Sequence, residues 1–94
     1  MLPVIWRPVA RDDLAKIIRY IANENPAAAR RMKRLLQESI LPVADHPYLY
    51  RQSERVPGCR EIVAHPNYVI LYRVAAVCIE VVNVVHARQQ YPSE

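Results

Sequence analysis

The residues best equipped for chemistry stand at the end of the chain. His86, Arg88, Gln89 and Tyr91 follow the last apolar run. A histidine with an ordinary pKa of about 6.5 can pass a proton at neutral pH. An arginine presents a planar fork of donors that fits a carboxylate or a phosphate. A tyrosine adds a ring for stacking and a hydroxyl. Arg60 and Arg73, just upstream, supply two more forks. Together these groups can hold an anionic or planar partner. His46 and His65 each precede a proline and read as turn residues. Cys59 and Cys78 sit in apolar runs without metal or redox spacing, which suits two small buried thiols. A chain with a single glycine has no glycine-rich phosphate loop, and no nucleophile motif, metal set or cofactor signature is present. Neither a metal nor a cofactor is expected.

Ninety-four residues make one domain, 1–94, with a small core. The net charge is +4, and arginine outnumbers lysine 11 to 2. Such a surface suits an acidic protein or a nucleic-acid complex. No run reaches the roughly eighteen apolar residues of a membrane span. Met1 to Arg7 is too short and too soon polar for a secretory signal. A cytoplasmic protein with no membrane partner is expected.

The elements that must position the tail follow from periodicity. Leu2 to Trp6 reads as a short edge strand, since Pro3 cannot donate to a ladder. Pro8 opens a helix, with Asp12 and Asp13 in its first turn, and Leu14, Ile17, Ile18 and Ile21 form one apolar stripe. Asn25-Pro26 reads as an N-cap and first helical residue. The second helix is expected to run to about Ala44, kinked or ended near Pro42, with Ala29, Met32, Leu36, Ile40 and Val43 buried and Leu35 beside them. Arg30, Arg31, Lys33 and Arg34 cluster near its start, where cations oppose the helix dipole. Residues 45–57 read as a loop. Strands at about 59–64, 68–74 and 78–85, joined at Pro66-Asn67 and Ala75-Ala76, form an antiparallel meander. Alternation puts Tyr68, Ile70 and Tyr72 on one face and Val69, Leu71 and Arg73 on the other. In the last strand it groups Ile79, Val81, Asn83 and Val85. One helical hairpin covers one face only, so the other is expected to be an exposed apolar patch for a partner.

The order β-α-α-β-β-β, an α+β fold with a helical hairpin on one face of a small, mainly antiparallel twisted sheet, resembles the RelE/ParE toxins of bacterial toxin–antitoxin pairs. The residues that carry the likeness are Trp6-Arg7-Pro8-x-Ala10-x-x-Asp13-Leu14, Tyr20-Ile21-Ala22 with Asn25-Pro26-x-Ala28-Ala29, Arg60-Glu61-Ile62, Tyr68-x-Ile70-x-Tyr72-Arg73-Val74, and Val84-Val85-His86-Ala87-Arg88.

The resemblance implies a type II toxin held by a cognate antitoxin, ParD-like or of another type II class, in a hetero-oligomer. In the RelE-like branch, ribosome-dependent mRNA endonucleases, it implies lysines on the first meander strand and an arginine at the start of the second. Here Glu61, Val63 and Val69 hold those places. The ParE-like branch, which inhibits DNA gyrase by binding and needs no catalytic set, fits better. Target contacts are then expected at His86, Arg88, Gln89 and Tyr91, with Arg60 and Arg73 behind them, and nucleic acid is met only indirectly. In an endonuclease of the RelE/YoeB kind, His86 would be the acid, Arg73 or Arg88 the phosphate clamp and Tyr91 the positioning ring. A third reading is a non-toxic remnant that only binds antitoxin. Antitoxin contacts are expected at Tyr20, Arg30, Arg34, Leu71 and Arg73.

Overall fold

The computed structural model describes residues 1–88. The elements are β1 (Val4–Trp6), α1 (Pro8–Ala22), α2 (Pro26–Ser39), a 3-10 turn (Leu41–Ala44), β2 (Arg60–His65), β3 (Tyr68–Val74) and β4 (Ile79–His86). They form one four-stranded sheet in the order β1-β4-β3-β2. β1 runs parallel to β4, and the β2-β3-β4 meander is antiparallel. The expected α+β order and helical hairpin are therefore present. No helix among the described residues is long and apolar enough to cross a membrane.

Local chemistry fixes the hairpin. Pro8 and Pro26 occupy first-turn positions, where a missing N–H costs nothing. Ala28 donates its N–H to the Asn25 side-chain carbonyl at 3.0 Å, so the N-cap forms as the sequence implies. α2 ends at Ser39, not near Ala44. Pro42 cannot donate an i→i−4 bond, and the chain tightens into the 3-10 turn instead.

The main core lies between the hairpin and one sheet face. Leu14, Leu36, Ile40 and Val43 meet Ile62, Ile70, Tyr72, Ile79, Val81 and Val84. Each large side chain wholly buried there stabilises the fold by about 1.5–3 kcal/mol. Burial pushes the Tyr72 phenol above its ordinary pKa, and its hydroxyl donates to the Pro47 carbonyl at 2.9 Å, tying the loop to the core.

Two features depart from simple alternation. Leu71 pairs with Asn83 but Tyr72 pairs with Val81, so Val82 is an extra residue in β4. This bulge shifts the phase of the strand. Ile79 and Val81 join Val84 in the main core, while Val85 faces the other way with Val69 and Leu71. The expected grouping of Ile79 and Val81 with Val85 does not hold.

Second, the other sheet face is not an open apolar patch. Val69, Leu71 and Val85 form a second buried cluster, with Val56 and Ala87 packed on it. The 45–59 loop supplies the cover. Ser53 Oγ accepts the N–H groups of Arg55 and Val56 at 3.0 and 3.2 Å, and Gly58 takes φ +84°, which lets the chain turn back into β2. Glu61 on β2, only 4% exposed, anchors the loop: Arg51 Nη2 donates to Oε1 at 2.7 Å and Ser53 Oγ donates to Oε2 at 3.0 Å. Arg55 lies 3.9 Å from the same carboxylate and donates to the Ala87 carbonyl at 2.9 Å.

Candidate functional site: two grooves flanking helix α1

α1 is a wall between two grooves. Residues at positions 11, 14, 15, 18 and 19 follow an i, i+3, i+4, i+7, i+8 pattern down one flank, and positions 13, 16, 17 and 20 run down the other.

On the first flank, Arg11, Leu14, Ala15, Ile18 and Arg19 meet Trp6 of β1 and Lys33 and Gln37 of α2 around a groove of ≈540 Å³. Its floor is apolar and its rim carries three cations. No acidic side chain lines it, and among the described residues none of Arg11, Arg19 and Lys33 forms an ion pair.

On the second flank, Lys16, Ile17 and Tyr20 face Asn67, Tyr68 and His86 across a groove of ≈500 Å³. The backbone sets its floor. Ala87 donates its N–H to the Asn67 carbonyl at 2.7 Å, joining the end of β4 to the β2–β3 turn. The His86 ring stands edge-on to Tyr68 with centroids 5.5 Å apart. Arg88 donates its backbone N–H to His86 Nδ1 at 3.2 Å, so the neutral ring carries its proton on Nε2. Asn67 donates to His65 Nδ1 in the same way at 3.0 Å; His65 is the last residue of β2 and flanks the Pro66-Asn67 turn, one position before the place its sequence suggested.

The sequence-derived candidates separate rather than converge. His86 and Arg88 sit exposed at the end of β4, while Gln89 and Tyr91 lie outside the described residues. Arg73 pairs with Glu80 at the opposite end of the sheet, five strand positions from Tyr68 and roughly 17 Å away at strand rise. It also projects from the face opposite Tyr68 and His86. Arg60 is spent on the loop: its Nη1 donates to the Tyr50 carbonyl at 2.7 Å and its guanidinium lies 4.8 Å from the Tyr48 ring centre. Among the antitoxin candidates, Leu71 is 0% exposed beneath the loop. It is no contact for a partner while that cover is in place. Tyr20 stands on the second flank of α1, and Arg30 and Arg34 are exposed on α2. The expected contact surface spans the sheet face and the hairpin; its sheet-face member Leu71 is buried under the loop, while Tyr20, Arg30 and Arg34 are exposed on the hairpin.

A second charged centre joins Arg7, Arg73 and Glu80. Arg7 donates to Glu80 at 2.8 Å and Arg73 at 3.1 Å. The Arg73 bond, helped by Arg7, holds the Glu80 carboxyl below the usual carboxylate range. Neither cysteine joins the other, and burial pushes the Cys59 thiol up, away from the reactive thiolate.

Sequence reasoning passed over Lys16, Trp6 and Asn67. Lys16 and Tyr20 share an i, i+4 flank, a signal present in the sequence. That Asn67 and His86 face them depends on the sheet register and was not.

Residues 4–91 match the family described as the ParE toxin of type II toxin-antitoxin system, parDE. The chain is 36% identical over 87 residues to Toxin RelE2 of Caulobacter vibrioides, covering 93% of this chain and 97% of that protein. It is 33% identical over 88 residues to the putative toxin Y4kP of Sinorhizobium fredii, covering 93% and 90%. A solved chromosomal ParDE TA system from P. aeruginosa shares its fold, with a TM-score of 0.80 over 92% of this chain and 96% of that one, at 22% identity.

Proposed function

The chain belongs to the ParE toxin family of type II toxin–antitoxin systems, and on that footing we propose that it blocks growth by binding DNA gyrase and is silenced by a cognate antitoxin. The observation that carries the choice of target is the dispersal of its cations. An mRNA endonuclease needs an acid and a phosphate clamp around one scissile bond. Here Arg73 and His86 lie at opposite ends and on opposite faces of the sheet. Glu61, where the RelE-like resemblance implies a cation, is a buried anchor for the loop. A target surface for gyrase needs shape and charge only, and the exposed end of β4 with His86 and Arg88 supplies both.

The antitoxin docks on the first flank of α1. An apolar floor of Trp6, Leu14, Ala15 and Ile18 under a rim of Arg11, Arg19 and Lys33 suits an amphipathic segment with acidic borders. The site stays on the hairpin and leaves out the expected sheet-face contact at Leu71, which is buried.

The test is a supercoiling and DNA-cleavage assay with gyrase and the purified chain, with and without the cognate antitoxin. Inhibition with accumulation of cleaved DNA, relieved by the antitoxin, is the expected result. Unaffected gyrase together with cut transcripts on translating ribosomes would overturn the choice of target. Inactivity in both would leave a protein that only binds antitoxin.

A further inference from the structure

The chemistry of the first flank of α1 fits a small molecule as well as a protein segment. Trp6, Leu14, Ala15 and Ile18 make its apolar floor, and Arg11, Arg19 and Lys33 stand exposed around it. These cations have no counter-charge: no carboxylate lines the groove, and every ion pair among the described residues uses Arg7, Arg51, Arg55 or Arg73. The acids nearest in sequence, Asp12 and Glu38, are exposed outside the lining. Arg30 and Arg34, exposed on the same helix as Lys33, add to the positive field. The groove of ≈540 Å³ lies within the range of small-ligand sites. Along α1, the span from Arg11 to Arg19 is about 12 Å at helical rise, roughly the length of an extended ten-carbon chain.

We infer that this groove binds a free medium-chain aliphatic carboxylate, its head on Lys33 and a rim arginine and its chain along the floor to the Trp6 indole. An inorganic anion would meet the rim and leave the floor wet. A neutral hydrocarbon would cover the floor and leave the cations unanswered. An amphipathic anion satisfies both at once. The floor lies between the walls of α1 and α2, which a single acyl chain can enter and a bilayer surface cannot. If the antitoxin docks in the same groove, the two exclude each other, and the acid frees the toxin. That competition rests on the antitoxin reading above; the site itself does not.

The experiment adds ω-bromodecanoate to the full chain and follows tryptophan fluorescence, with ω-bromodecanol as the uncharged control. Bromine quenches an indole only near contact, and Trp6 is the only tryptophan. Quenching by the acid should saturate with a Kd between about 10 µM and 1 mM. The alcohol should bind at least fivefold more weakly. Lys33→Glu should weaken binding of the acid at least fivefold, while Arg31→Glu, an equal charge change outside the lining, should leave it within twofold. Both side chains are exposed, and circular dichroism checks that each variant keeps its helices. The proposal is overturned if the acid fails to quench by about 1 mM, if the alcohol binds as well as the acid, or if Lys33→Glu binds it like the unaltered chain. Cognate antitoxin should bind more weakly as the acid approaches saturation. Quenching without competition keeps the site and removes the antitoxin from this groove. Antitoxin binding that is lost in Lys33→Glu, with no quenching by the acid, overturns the site and keeps the antitoxin reading.

Discussion

The Asp13 carboxylate completes the edge of β4 by accepting the Val84 backbone N–H at 3.0 Å. β1 covers β4 only as far as the bond from the Arg7 N–H to the Val81 carbonyl. Beyond it the edge would be bare. Asp13 takes over and binds Asn83 Nδ2 as well. Asp13→Ala strands a part-buried donor, which costs about 1–3 kcal/mol. Urea denaturation should show that loss at unchanged m-value, and amide exchange at Val84 should accelerate.

The Glu61 carboxylate holds the 51–56 segment through Arg51, Ser53 and Arg55. Glu61→Ala should cost about 2 kcal/mol, less than a fully buried pair because Arg51 is largely exposed. It should also loosen the cover over Val69, Leu71 and Val85. Increased dye binding to exposed apolar surface, with the helices retained by circular dichroism, is the expected signature.

Glu80 makes stability depend on acid. Its folded pKa is lowered by Arg73 and Arg7. A lowered folded pKa contributes stability that is present above the unfolded carboxylate value and lost as pH falls through the folded value. Melting curves from neutral pH downwards should therefore fall more steeply for the unaltered chain than for Glu80→Gln, and the two should converge once Glu80 is protonated.

The groove proposed for the antitoxin is open to a direct test. Ala15→Glu places an acid among Arg11, Arg19 and Lys33 and fills the floor, and Lys33→Glu inverts one rim charge. Each should weaken antitoxin binding at least tenfold by calorimetry while leaving gyrase inhibition intact. Arg34→Glu, away from the groove lining, should change it little.

Much of this fold was legible in the sequence. Pro8, Asn25 and Pro26 announce the helix starts, and the β-branched runs announce the meander, because caps and periodicity are local signals. Two features were not. The bulge at Val82 needs the pairing of β4 with β3 before it exists, so strict alternation placed Val85 on the wrong side. The loop cover rests on Glu61, Arg51, Ser53 and Arg55, which meet through irregular backbone that has no period to read. In sequence Glu61 looked like a missing cation; in the fold it is what closes the second face. The candidate site was half legible: His86 and Arg88 stood out by type, whereas their neighbours Lys16 and Asn67 are set by the packing of α1 on the end of the sheet.

The sheet is closed by its latest-made part. β4 lies between β1 and β3, and Arg7 bonds to Glu80 across 73 positions of chain. A growing polypeptide can form the helical hairpin early, but it has no strand to place beside Val4–Trp6 until residues 79–81 emerge. The end of β4 that carries His86 and Arg88 comes later still. During synthesis, then, the nascent chain lacks its finished sheet until residues 79–86 are made. An antitoxin bound on the first flank of α1, as proposed, would meet residues made well before the end of β4 that closes the sheet.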